Sequence, residues 1–459
     1  MSVPDEKITA TMAHWAAQLS YEQIPAAVAR EARRYLLDAL GCALGGYAQH
    51  DVKIALSVLA ETAGRGPATV IGTGDQLDVV SASLANALMV RVMDYNDIYW
   101  KQDPCHPTDL IPAALACAQR ARSDGRELIV GIVLGHEFEQ RLCEAAFPGI
   151  RERGWHHATL TAFASPIVAG RMLHLTPEQI QHAIGISGSR HCTLGAVTAG
   201  KLTMMKNTVD PMATQSGVLA ALLAEKGYTG PEHVIDGKEG LADCYGPEWK
   251  LPVLVDGLGE TFRILQCGMK AFPTEALTHA PISAVLSIVK DNDLAPADIA
   301  EVHIRSLHRA ADILADPSKY DPRSKETADH SLPYVIAAAI VDRNVTPAQF
   351  TTEKIMNPEI RAHLPKVKVV ADDEIEQLFP AVQRVIVKIT TGNGRVFEKQ
   401  LDYPKGDPRN PLTDREIEEK FEALAEGVLS RERQRQVKDA VGDLASLGSV
   451  TELMALLKA

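Results

Sequence analysis

The chain has 459 residues, 46% of them hydrophobic and 23% charged, with 59 acids against 47 lysines and arginines for a formal net charge of −12. That length suits roughly two to three domains around a large core, and the composition excludes a disordered chain. The acidic balance argues against nucleic acid and anionic membranes as partners. Seven cysteines without a CxxC argue against a disulfide framework or a structural zinc site. The N-terminal MSVPDEKITATMAHW has no basic segment followed by an apolar run, and no stretch of about 18 apolar residues occurs, so the chain reads as soluble and cytoplasmic.

Up to about residue 265 the periodicity is helical. IPAAVAREARRYLLDALGCALGG (24–46) and IALSVLAETAG (54–64) carry apolar residues at helical spacing and end at glycines. ATVIG (68–72) reads as a short strand. ASLANALMVRVMDYND (82–97) reads as a helix rich in small residues. Thr108 is placed to cap a further helix, DLIPAALACAQRARS, with Pro112 near its start. TLTAFASPIVAGRMLH, PEQIQHAIGISGS and TQSGVLAALLAEKG continue the series, and their small residues imply close helix packing.

Beyond residue 265 the character changes. AEVHIRSL (300–307), KVKVVA (366–371), VQRVIVKIT (382–390) and RVFEKQLDY (395–403) read as strands, the last two joined by a hairpin at Asn393-Gly394. Helices such as PISAVLSIVKD and LPYVIAAAIVD intervene, which makes an α+β unit. From Thr413 the pattern is helical again. The expected division is an all-helical domain over 1–265, an α+β domain over 266–404, and C-terminal helices over 405–459 returning to the first.

Charged residues gather at a few places in this apolar chain. MDYNDIYWKQDPCHPTDL (93–110) holds Asp94, Asp97, Asp103, His106 and Asp109. On a helix Asp94 and Asp97 would share one face, and a histidine facing carboxylates can donate or accept a proton. A solvated corner with capping acids explains the same residues. No EF-hand, HExxH or zinc spacing is present. GWHHATLTAFAS places His156 and His157 before a helix, whose N-terminus attracts anions; a packed histidine beside an exposed one is the plainer alternative. Lys206 in GKLTMMKNT and Lys270 in CGMKAFPTE sit in apolar settings, with Glu275 close to the second. A partly buried ammonium needs an anionic partner, although a snorkelling lysine would look alike. ADHSLPY offers Asp329, His330 and Tyr334 at a helix start, where capping accounts for Asp329. There is no GxGxxG after a strand, no Walker A and no GxSxG, and His50-Asp51 is a weak match to a metal phosphohydrolase.

Taken in order, MDYND, HPTD, GWHHAT, MMKNT, GMKAFPTE and DHSLPY, together with GYTGPEHVIDGKEGL (227–241), resemble the MmgE/PrpD family over nearly the whole chain. That family includes 2-methylcitrate dehydratase, cis-aconitate decarboxylase and related epimerases. The resemblance implies a mainly α fold, with a large all-helical domain and a smaller inserted α+β domain, in a homodimer. It implies no cofactor and no metal. It carries pocket positions onto Asp94, His106, His156, Lys206, Lys270 and Tyr334, with His157 and Glu275 beside them and Lys201 as an alternative to Lys206. Ile98 stands where many members have a threonine. Glu275 stands where the decarboxylase branch has a histidine, which resembles the dehydratase branch. The implied activity is a metal-independent lyase dehydrating 2-methylcitrate, with Asp94, His106 and His156 moving protons. Decarboxylation of cis-aconitate, epimerisation of a dicarboxylate, and a non-catalytic helical scaffold are the alternatives.

Overall fold

The computed structural model describes residues 7–101, 103–199, 202–246 and 248–459. Helices make up 59% of the chain and strands 10%, so the fold is mainly α. Two compact units account for it. The first comprises Met1–Gly200, Met204–Cys267 and Thr413–Ala459, and the second Lys201–Thr203 and Gly268–Leu412. No described helix is long and apolar enough to cross a membrane.

The first unit is built from α1 (Ala26–Gly46), α2 (Val79–Arg91), α3 (Ile111–Ala121), α4 (Gly125–Ala145), α5 (Ala158–Met172), α6 (Pro177–Gly188) and α7 (Val209–Glu225), with a C-terminal helix, Asp414–Ala425, lying on α1. Every residue of α5 is buried, as its all-round apolar sequence requires of a central helix. It packs against α4, α6 and α7. The approach of α5 to α7 depends on Gly217, where a Cβ would fall 2.0 Å from the Ser165 hydroxyl and 2.5 Å from the Pro166 nitrogen. Ser165 donates to the Ala213 carbonyl at 2.9 Å in the same contact. This register sets the first turns of α5 and α7 side by side.

Two small antiparallel pairs complete the first unit. β1 (Arg65–Thr69) pairs with β2 (Gln76–Leu77), so the strand expected at 68–72 begins and ends earlier. β3 (Asp97–Trp100) pairs with β4 (Pro104–Cys105). The helix expected over 82–97 therefore stops at Arg91. Asp94 adopts a left-handed φ of 51° and turns the chain out of α2, with its N–H on the Arg91 carbonyl at 2.9 Å. Asp94 and Asp97 do not share a helix face, which corrects that expectation. Thr108 lies within a 3-10 turn, Pro107–Leu110, and donates its hydroxyl to Asp97 instead of capping a helix.

The second unit holds a four-stranded sheet in the order β6 (Val367–Ala371), β5 (Ile299–Ser306), β7 (Val385–Thr391) and β8 (Val396–Leu401). β5 runs parallel to β6 and antiparallel to β7, and β7 antiparallel to β8. The β7–β8 turn contains Asn393-Gly394, with Gly394 at a φ of 82° that glycine adopts without strain. β7 alternates inward and outward, and α8 (His279–Asp291) packs on β7 and β8. α9 (Leu332–Asp342) packs on α8. Ser331, and not Asp329, caps α9, accepting from the Tyr334 N–H; Asp329 instead ends the preceding short helix.

Candidate active site

α2 carries one charged residue, its last, Arg91, which is buried. A buried guanidinium needs counter-charges, and Asp94, Asp109 and Asp210 supply them. The turn after α2 brings Asp94, whose Oδ1 takes Arg91 Nη1 and whose Oδ2 lies 2.9 Å from Lys206 Nζ. Lys206 comes from the 3-10 turn Met204–Asn207 that leads into α7. The β3–β4 hairpin folds His106 back beneath Asp97, where its Nδ1 meets the Asp97 carbonyl at 2.7 Å. A carbonyl only accepts, so Nδ1 carries the proton. His106 Nε2 then presents a lone pair to Arg91 Nη2 at 3.1 Å.

Arg91 also reaches Asp109 (3.5 Å) and Asp210 (3.7 Å) through Nε. Asp210, at the start of α7, lies 3.5 Å from His157 Nε2 at the start of α5. Thr161, one turn further along α5, donates to Glu139 of α4 at 2.6 Å and lies 3.4 Å from Asp210. His156 stacks on His157 with ring centres 3.8 Å apart, and His106 is 5.4 Å from His157. One continuous network thus runs from Lys206 through Asp94, Arg91 and His106 to His157, Asp210, Thr161 and Glu139.

The charges in it are tuned by opposing forces. Burial lifts Asp109 well above the usual carboxylate range despite Arg91, and burial does the same to Glu139 despite its bond from Thr161. Burial opposes charge on Asp210 too, but His157 and Arg91 outweigh it and hold Asp210 well below that range. Asp109 and Asp210, both beside Arg91, are thus pushed in opposite directions. Asp94 lies against both cations of the network. Burial, reinforced by His157, keeps His156 well below the normal imidazole range. Its Nδ1 accepts from the Ala158 N–H at 3.2 Å, so the proton sits on Nε2 and His156 is a neutral donor.

Several buried atoms in the network lack a hydrogen-bond partner among the described residues: both ring nitrogens of His157, Glu139 Oε2, Asp210 Oδ2 and the side-chain amide of Asn207. Native interiors pair such atoms, so a concentration of unpaired ones marks a place where a ligand or water completes the bonding. His156, His157 and Asp210 also offer one ligand atom each within 4.8 Å of one another, as do Asp97, His136 and Cys267 in the same unit.

The first unit therefore brings together Asp94, His106, His156, His157 and Lys206. Lys201 lies outside the described residues. Lys270, Glu275 and Tyr334 belong to the second unit. There Lys270 is buried and donates to the Thr274 carbonyl at 3.0 Å, and Glu275 accepts from the Leu277 N–H at 2.7 Å. Tyr334 is fully buried and its hydroxyl donates to the Gln349 carbonyl. Arg91, Asp210, Glu139 and Thr161 escape a reading by motif. For Arg91 the signal is a lone charge inside an apolar helical run, ALMVRVM, which can be buried only with partners.

Residues 10–253 match the MmgE/PrpD N-terminal domain and residues 272–445 the MmgE/PrpD C-terminal domain. The chain belongs to the MmgE/PrpD family. Among its relatives are a cis-aconitate decarboxylase of Aspergillus terreus, 25% identical over 98% of this chain and 96% of its own, and that of Mus musculus, 25% identical over 99% and 94%. A 2-methylcitrate dehydratase of Salmonella typhi is 26% identical over 91% and 90%. MmgE/PrpD relatives are thus lyases of two kinds, and these identities do not separate the two.

Proposed function

We propose that the first-unit network is the proton-transfer site of a lyase acting on a small tricarboxylate, and that its reaction is loss of water from 2-methylcitrate. Dehydration removes a proton beside a carboxylate and expels a hydroxyl, which leaves as water once protonated. It needs a proton acceptor, a proton donor and cations to hold the developing charge. The observation that carries the reading is the His157 imidazole, buried without hydrogen-bond partners among the described residues, between the His106–Arg91–Asp94 side and the His156–Asp210 side. Asp94, His106 and His156 are the proposed proton-transfer groups, with His157 completing the wall. Lys206 is the proposed carboxylate clamp. A substrate carboxylate would share its ammonium with Asp94. For Lys270 and Glu275 the proposal is a supporting role in carboxylate binding. No metal is assigned to the chemistry.

Decarboxylation of cis-aconitate is the second reading, favoured by the match of the Aspergillus terreus decarboxylase along 98% of the chain. It would use the same cations and one proton donor to the carbanion left by carbon dioxide.

The test is to incubate the protein, purified without chelator, separately with 2-methylcitrate, citrate and cis-aconitate in deuterated buffer and follow products by proton NMR. Loss of water from 2-methylcitrate is the expected result. Itaconate from cis-aconitate would replace the dehydratase by the decarboxylase. Deuterium exchange without net product would indicate an epimerase. No change in any sample, with no thermal stabilisation by these ligands, would leave a scaffold.

A further inference from the structure

A second cluster in the first unit takes no part in this chemistry. Asp97 opens β3, His136 lies in the middle of α4, and Cys267 follows the turn Arg263–Gln266. All three are buried. His136 Nδ1 faces the Ile132 carbonyl at 3.0 Å and so carries the ring proton. Its Nε2 is therefore a bare lone pair, without a hydrogen-bond partner among the described residues. That lone pair lies 3.6 Å from Asp97 Oδ2, and the Cys267 thiol donates to the same oxygen at 3.5 Å. The three ligand atoms fall within 4.8 Å of one another.

We propose that Asp97, His136 and Cys267 bind a divalent cation of the zinc class, which locks the β3 turn that positions His106. The donor set is imidazole nitrogen, carboxylate oxygen and thiolate sulfur, which suits a borderline-soft cation such as zinc. Tetrahedral coordination at usual zinc bond lengths sets ligand atoms about 3.3 Å apart for nitrogen and oxygen and about 3.5 Å for sulfur and oxygen. The separations here are 3.6 and 3.5 Å. The nitrogen–oxygen distance is too long for a hydrogen bond and suits a shared cation. One thiolate and one carboxylate would neutralise a divalent ion, leaving no net buried charge.

The outer contacts are also those of a held ligand set. The Ile132 carbonyl fixes the His136 tautomer. Asp97 takes the Thr108 N–H on Oδ2 at 3.1 Å and the Thr108 hydroxyl on Oδ1. The Tyr35 hydroxyl donates to the Cys267 carbonyl at 2.6 Å while its ring packs on His136 at 4.5 Å. Because Asp97 also supplies the carbonyl that holds His106 Nδ1, a cation on its side chain would fix the imidazole of the neighbouring network. Its place is that of a positioning site, filled as the chain folds.

The test uses the full chain produced in cobalt-supplemented minimal medium and purified without chelator. The expected protein holds about one cobalt per chain and shows the tetrahedral visible bands with a thiolate-to-cobalt band in the near ultraviolet. Cys267→Ser should lose that band and the metal, whereas His157→Ala should keep both, which separates this site from His156, His157 and Asp210. Metal-free protein, cobalt bound without the thiolate band, or a band that survives Cys267→Ser would each overturn the proposal. If Cys267→Ser does not fold, the wild-type spectrum decides alone, its thiolate band supporting the site and the band's absence refuting it.

Discussion

The first unit buries two lysine–aspartate pairs that differ only in what surrounds them. Lys420 of the C-terminal helix lies 2.7 Å from Asp38 of α1, donates to the Tyr95 carbonyl at 2.7 Å, and sits 3.9 Å over the Tyr95 ring. Lys206 and Asp94 are as deeply buried, at 5% and 3% side-chain exposure against 6% and 0%. The Lys420 pair joins two helices. The Lys206 pair continues through Arg91 into a chain of acids and histidines. Burial of charge alone does not mark a site; a connected run of acids and histidines does.

The largest expected effect on the open network is from His106→Ala, which should lower kcat by about 10²- to 10⁴-fold while the unfolding midpoint holds, as read by steady-state kinetics and denaturation. An inactive but equally stable Lys420→Met would erase the distinction between the pairs. That variant should instead lose about 3–5 kcal/mol of stability in chemical denaturation, because Asp38 stays buried without its cation, and kcat should hold in whatever fraction remains folded. Adding Asp38→Leu should recover most of the loss. Lys206→Ala should raise KM by about 10- to 100-fold, the range for losing one charged hydrogen bond, with little change in stability. Wild-type kinetics there would remove Lys206 from the site.

The smallest effect concerns pH. Burial raises Glu139 above its ordinary 4.5, so the folded state keeps a proton that the unfolded chain releases. Stability from this group is therefore greatest below 4.5 and is lost as pH rises towards the raised folded value. Glu139→Gln should flatten that decline in denaturation midpoints taken at stepped pH. Equal slopes in both proteins would mean that Glu139 is ionised when folded.

Much of the fold is legible in the sequence because it rests on local signals. Apolar spacing marks α1, α5 and α7, and Asn393-Gly394 marks the β7–β8 turn. The end of α2 is not legible in this way, since MVRVMDYND keeps helical spacing. Only the tertiary pull of Arg91 and Lys206 on Asp94 makes a left-handed residue tolerable there. The histidines and Lys206 stand out as polar residues in apolar company. Asp210 and Glu139 do not, because their partners lie 53 and 22 residues away, at His157 and Thr161.

The C-terminal helix on α1 has a consequence for synthesis. The ribosome releases Asp38 some 380 residues before Lys420, the only cation paired with it among the described residues. Phe421, fully buried, follows directly, and its backbone lies so near Gly41 that a Cβ there would come within 3.2 Å. Until those last segments emerge, the growing chain carries an open α1 face with an unmatched acid in it. A nascent chain arrested near Leu412 should therefore be a far better chaperone client than one released complete, although all the residues of the first-unit network have already been made.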